Sequence, residues 1–410
     1  MLQARALIYA VVVSLLIAIV SGLLVSLSFL FRVQQIDQFS TQQSIRNVNS
    51  GITLLLEDKN EIYNWKQQPL FSEGEDQVVL RRMNWGLFDV GIVRSMTNTS
   101  MGIDTIEKSF FIGVAPENLP TYALYMKDLN HPLKVVGSTK IYGNCYLPKG
   151  KYEKGHINAK GAAHAKPIEG KIYNAEKFPP KVIENRIKAL VENFSKGPTA
   201  DKIPKQINHP FTEETLFFTG GNLELKNHKI RGNVVIVADK IKITTAAKLE
   251  NVLLFANEIE IADKFKGNIQ AFATQKMMVG KDCHLTYPSV LGTIRKGDNL
   301  LGASLLIEPN TVVEGVVFSK ELKFLRKKSQ MRIEDRVAVK GQIYCEGSLD
   351  LRGEVKGSVL TLLFSVKTAA AVNDHFIMDG NIDRPNLPAA FVGPIISDNN
   401  KKYAIAKWIN

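Results

Sequence analysis

Cysteine is scarce in this chain. There are three, Cys145, Cys283 and Cys345, an odd number far apart in sequence, so no disulfide framework follows. Histidine is scarce too, and metal-ligand spacing is missing. Cys283-His284 is the one close Cys/His pair, and neighbours on a strand point to opposite faces. His156 and His164 sit in a Lys/Gly-rich stretch without a cysteine, an aspartate or a third histidine nearby. There is no P-loop, no GxSxG and no HExxH. Long Lys/Arg blocks are also absent, although the net charge is +12 and the pI about 9.3. Basic residues are spread out and not interleaved with aromatics, which speaks against a nucleic-acid partner. The charge balance favours anionic partners, such as lipid headgroups or an acidic polysaccharide.

One apolar run is long. Ala6 to Phe31 carries no charge, and roughly 20 apolar residues suffice to span a bilayer. A cleavable signal has a shorter apolar region, of roughly 7–15 residues, and a small-x-small site. The reading is an uncleaved signal anchor, with residues 1–5 as a cytoplasmic tail and 6–31 as a transmembrane helix. A short tail before a long domain places that domain outside. In a bacterium this means an inner-membrane protein with its bulk in the periplasm. Over residues 32–58, Val33, Ile36, Phe39, Ile45, Val48, Ile52 and Leu55 recur at helical steps. They indicate an amphipathic stem, or else a helix packed on its own domain.

From Gln77 to Gly143 the pattern is strands. Trp85 to Val93, Ser109 to Val114, Tyr122 to Met126 and Leu133 to Ile141 are rich in β-branched and aromatic residues, with turns at Asn118-Leu119-Pro120 and Asn130-His131-Pro132. Residues 59–140 therefore read as a small antiparallel sheet. Anchor, stem and sheet together resemble type IV pilins and pseudopilins. The prepilin motif is missing: Ala4-Arg5-Ala6-Leu7 has no glycine, and the apolar run has no glutamate.

The stretch Val235 to Cys283 has a period of six. Val235, Ile241, Ala247, Leu253, Ile259, Phe265, Ala271, Met277 and Cys283 are all apolar. A second row two residues on runs from Val237 to Leu285 and is apolar apart from Gly267. Neither a helix nor a simple strand has this period. It fits a parallel β-solenoid, a three-sided β-helix of about 18 residues per coil. That coil length stacks Val235 on Leu253 and Leu253 on Ala271. It also aligns Lys240, Glu258 and Lys276, and sets Lys242 under Glu260. Leu325, Met331, Val337, Ile343, Leu349 and Val355 repeat the period, while Thr286 to Leu300 breaks it.

The solenoid proper reads as residues 217–364. Ile141 to Pro148 looks like a first coil. Residues 141–216 would be that coil plus a Lys/Gly-rich and helical insertion, with a helix from about Val182 to Phe194 after Pro179-Pro180. Residues 365–410 form a C-terminal cap or tail, covering the open strand edge together with the sheet. The six-residue sides and the coil length resemble those of bactofilins, which implies a polymer-forming scaffold.

Acidic residues do not accumulate on one side. Asp239 is followed in register by Asn257 and Gln275, and Glu258 and Glu260 alternate with lysines. Asp282 and Asp298 lie in irregular stretches, and Glu334-Asp335 stands alone. His284 is the candidate for the loop histidine of a hexapeptide acyltransferase, without further support. The expectation is no catalytic, cofactor-binding or metal-binding residue. Function is expected to be that of a non-catalytic, membrane-anchored scaffold or adaptor of the bacterial envelope, with a pilus-like or secretion assembly as the leading case. Its partners would be the bilayer and other envelope proteins or copies of itself, with peptidoglycan or acidic polysaccharide further candidates. The alternative is a tethered polysaccharide-binding or polysaccharide-degrading β-helix.

Overall fold

The structure, a computed structural model, describes residues 2–57, 62, 64–70, 77–99, 102–176, 184–193, 203–296, 301–323, 327–396 and 402–409. The expected positions Pro179, Pro180, Val182, Ile183, Phe194, Asp298, Leu300 and Leu325 lie outside the described residues. The chain forms two compact units. The first takes residues 1–82, 91–109 and 410, and the second takes 83–90 and 110–409.

In the first unit, span and stem are one unbroken helix, Leu2–Glu57, of 56 residues. At 1.5 Å per residue it extends about 84 Å. Its apolar stretch is exposed, and the helix is long and apolar enough to cross a membrane. The stem's buried stripe is Ser44, Asn47, Val48, Gly51, Ile52 and Leu55, at the three- and four-residue steps of one helix face. The expected stripe is corrected in part: Ile36, Phe39 and Ile45 are exposed. The reason is contact with the strands of the same unit. Ser44 Oγ lies 2.6 Å from Thr97 Oγ1, and Arg82 Nη1 donates to Leu55 O at 3.1 Å. Gly51 permits the approach, because a Cβ there would sit 2.6 Å from Val93 Cγ1. Lys66–Pro69 pairs antiparallel with Gln77–Trp85. Beside that pair the Arg81 and Arg94 guanidinium groups cover the Trp65 ring, at 5.3 and 4.7 Å.

The second unit is a parallel β-solenoid. Lys266–Val279, His284–Arg295, Val312–Glu321, Ala338–Leu351, Gln330–Ile333 and Ser304–Ile307 bond in a closed ring of parallel pairings. Each coil has three sides. The first carries Ile230, Leu249 and Leu285 inward, the second Ile236, Leu254 and Ala271, and the third Ile241, Ile259 and Met277. A residue in the left-handed conformation turns the corner from third side to first: Asn227, Lys264, Asp282, Asn310 and Arg336 all have φ between 56° and 62°. Asp282 is thus a corner residue of a type that tolerates this conformation.

The expected coil length holds on the first side from Lys266 to His284. His284 then pairs with Val312, and Val312 with Ala338, so the next two coils are both longer. Ala338 pairs with Glu354, which makes the coil after them shorter than the repeat. Both long coils insert most of their extra residues at the same corner, after Arg295 and after Glu321, and the first also bulges between Leu285 and Ser289. The irregular stretch is also shorter than the sequence suggests, since Val290–Arg295 is regular strand.

On the second side the predicted column is out of phase. Val235 pairs with Leu253 as expected, but Leu253 meets Gln270, and Ala271 pairs with Leu254. The coil is one residue short there, and the expected register returns where Glu258 pairs with Lys276. Asn251, at φ 61°, adds a residue on one coil, and Thr274 and Gln275 together oppose Asn257 on the next. Val235, Val237, Leu253 and Phe255 therefore face away from the solenoid interior, yet they are buried. Other parts of the second unit cover them. Gln270 bonds to Trp85 O and Leu87 N, each at 2.9 Å, and the Tyr287 hydroxyl donates to Val392 O at 2.7 Å. A strand covered on both faces reads as a continuous apolar run, as in Val234-Val235-Ile236-Val237. An aromatic column rises on this outer face. Phe255 stacks on Phe272, Phe318 on Tyr344, and Tyr125, Tyr146 and Tyr173 follow.

The far end differs most from the expectation. After Glu354–Lys367 the chain folds back in Val372–Asp374, which pairs antiparallel with it, and then adds Phe376–Met378 and Asn381–Asp383 to the stack. Tyr122–Met126 completes that coil, with Leu124 opposite Val359. Lys140–Tyr142 then stacks on Asn381–Asp383, and Asn144–Leu147 on Tyr122–Met126. Ile168–Glu169 and Ile172–Asn174 add the last rungs. The stretch Ile141 to Pro148 is a coil, but at the end opposite Phe217. Tyr122–Met126 and Leu133–Val136, expected in the antiparallel sheet, belong to the solenoid.

Asp379 fastens this junction. Its carboxylate accepts from Ser138 N at 2.9 Å and Ser138 Oγ at 3.0 Å, and pairs with Lys160 Nζ at 2.6 Å. Burial pushes the carboxyl up, but Lys160 and Ser138 outweigh it and hold it below the ordinary aspartate range. A depressed folded value contributes stability above the unfolded pKa of about 3.9 and loses it as pH falls through the folded value. The urea midpoint of wild type is expected to fall below about pH 4, and Asp379→Asn is expected to flatten that fall.

Candidate anion-binding face

The outer face of the first side carries a column of lysines. Lys229 pairs with Lys248. Glu250 pairs with Asn268 on the next rung, and Lys248 and Lys266 each stand two residues before these partners. Lys229, Lys248 and Lys266 thus occupy one position on three successive rungs, roughly 4.8 Å apart. All three are exposed. Among the described residues, no carboxylate lies within ion-pair distance of any of them. Like charges directly opposite on neighbouring strands are destabilising.

The third side shows the arrangement that avoids this cost. Lys240 and Glu258 lie 3.4 Å apart, and Lys242 and Glu260 3.7 Å. The expected registers of Lys240 with Glu258, Glu258 with Lys276 and Lys242 with Glu260 are all present.

The lysine column lines a groove of about 660 Å³. Arg231 and Lys407 also line it, and among the described residues its one carboxylate is Glu250. Arg231 reaches Glu250 at 3.5 Å and Lys407 at 3.2 Å, so that charge is answered twice. Five cations against one carboxylate leave the lining at +4.

The other sequence candidates are dispersed. His284 continues the lysine column and lies 3.6 Å from Glu314, whose carboxylate Lys340 also holds at 2.9 Å. Burial pushes the Glu314 carboxyl up, while Lys340 and His284 bring it below its ordinary value. Asp239 accepts from Asn257 Nδ2 at 3.3 Å, and Thr274, not Gln275, donates to Asn257 at 2.8 Å. Glu334 pairs with Arg332 at 2.7 Å, and Asp335 with Arg336 at 3.2 Å. Burial pushes the Cys145 and Cys345 thiols up to about 12, which disfavours the reactive thiolate. Among the described residues, no group of three or more His, Cys, Asp or Glu is placed to hold a metal.

Sequence reading missed a buried ionic cluster at the insertion corner. Lys320 Nζ lies 2.6 Å from Glu346 Oε1, which also accepts from the Tyr344 hydroxyl at 2.5 Å. Burial, then the Glu346 charge, pushes the Tyr344 phenol well up. Arg295 Nη1 lies 3.5 Å from Glu321 Oε1, with both side chains fully buried. Coils of unequal length hide these contacts from a fixed-period alignment.

No protein-family model, curated protein or solved structure matches this chain. Fold and geometry carry the functional argument.

Proposed function

We propose that this chain is a non-catalytic scaffold or adaptor of the bacterial envelope, tethered to the inner membrane with its bulk in the periplasm. The unbroken helix Leu2–Glu57 carries the reading. Its apolar part is exposed over a bilayer's length, and its polar part is fixed to strands by Ser44, Gly51 and Leu55. Such a helix suits a rigid mount. A solenoid with alternating Lys/Glu ladders on its third side suits a spacer or docking platform. Envelope proteins or further copies are the partners in this reading, and a pilus-like or secretion assembly is one setting for it. End-to-end stacking like that of bactofilins is the polymeric variant.

Protease added to spheroplasts tests the placement. Cleavage of the solenoid from outside supports it. Protection until lysis would replace it with a cytoplasmic polymer held at the membrane. Deleting residues 1–31 is expected to move the chain from the membrane fraction to the soluble fraction.

The lysine column favours a second reading, a tethered binder of anionic polysaccharide. Unpaired like charges in register are the pattern an anionic ligand would relieve.

A further inference from the structure

We infer that the groove on the first side binds a linear polyuronate, laid along the solenoid axis across Lys229, Lys248 and Lys266. This rests on the second reading above and specifies its ligand. Rungs repeat every ~4.8 Å, and a hexuronate in an extended chain advances by a similar length per sugar. Three lysines on successive rungs therefore span about three sugars.

Glu250 would repel a polyanion, but Arg231 and Lys407 hold it at 3.5 and 3.2 Å. Its charge is turned sideways into those pairs, and the lysine column is left unopposed. Ile230 and Leu249 turn their side chains into the solenoid core, so the groove meets only their backbone. Asn208 is exposed and also lines the groove, supplying a polar group for a sugar hydroxyl. Lys248 is central, so binding should depend on it most.

The test uses the full chain in lipid nanodiscs and calorimetric titration with galacturonate oligomers of defined length. The expected result is a sharp gain from monomer to trimer and weakening at high salt. Lys248→Gln is expected to weaken trimer binding about fivefold, the size of one surface ion pair. The triple variant Lys229→Gln, Lys248→Gln, Lys266→Gln is expected to weaken it by roughly fiftyfold or more on the same footing. Lys242→Gln, on the third side, should leave it unchanged.

Two failures can be told apart. If no anionic glycan binds, with polyuronate and sulfated chains both inert, the polysaccharide reading falls with the inference. If sulfated chains, polyphosphate or single-stranded oligonucleotide bind as tightly as polyuronate, the groove is a general anion site and the inference alone fails. Polyuronate binding that ignores the triple substitution would also overturn it.

Discussion

Glu321→Ala is expected to lower the unfolding free energy by about 3–5 kcal/mol, the cost of leaving one member of a buried ion pair alone. Arg295 and Glu321 are fully buried and lie 3.5 Å apart. Removing the carboxylate strands a guanidinium in the interior. It also takes the acceptor from Ser329 N, which bonds Glu321 Oε1 at 2.6 Å. Urea unfolding of the full chain in detergent reads this as a lower midpoint with an unchanged slope. The double variant Arg295→Met, Glu321→Leu is expected to recover the part of the loss that comes from the unpaired charge, since apolar replacements of buried pairs are often neutral, while Ser329 N stays without its acceptor. A loss below about 1 kcal/mol in the single variant would indicate a solvated pair.

Gly341→Ala is the second large effect. Gly315, Gly341 and Gly357 stand in register on three successive coils. Their φ values are 145°, 150° and 154°, a region that L side chains seldom adopt. A Cβ on Gly341 would sit 1.9 Å from Gly315 O, and one on Gly357 1.7 Å from Gly341 O. Strained backbone costs about 1–3 kcal/mol, and forced overlap adds about 1–3 kcal/mol. Since the overlap is with backbone, no side-chain rotamer relieves it. Gly221 is the control: its Cβ would meet nothing closer than Asp239 at 3.9 Å, and Gly221→Ala should be close to neutral. Equal effects at the two positions would argue against the close coil stacking.

Much of the fold is legible in the sequence, for a physical reason. An inward side chain must be apolar on every coil, so two sides announce themselves through Ile241, Ile259 and Met277, and through Ala247, Phe265 and Cys283. The other side misleads because both its faces are buried. Val235 and Ile236 are both apolar, and nothing local says which one faces in. Asn251 then shifts the phase by one residue. Which end a coil occupies is equally hidden. Ile141 to Pro148 has a coil's composition, but its neighbours are Asn381–Asp383 and Tyr122–Met126. Only long-range pairing decides that.

The lysine column was legible in principle. Lys229 pairs with Lys248 across a coil one residue longer than the repeat, so a strict coil alignment passes over the two. A search for columns of either sign, allowing one residue of slip, would have found it. The buried Glu321 and Glu346 cluster was not legible, because it depends on insertions of unequal length at one corner.

The permuted stacking order is the central structural claim, and pulsed electron resonance on spin-labelled pairs tests it most directly. Lys140 is one rung above Asn381 and eight above Lys229 in the pairings along the first side. At about 4.8 Å per rung this predicts roughly 38 Å between labels at Lys140 and Lys229, and near contact between Lys140 and Asn381. A Lys140–Lys229 distance of one or two rungs, with Asn381 remote, would place the Ile141 coil before Phe217 and contradict the account.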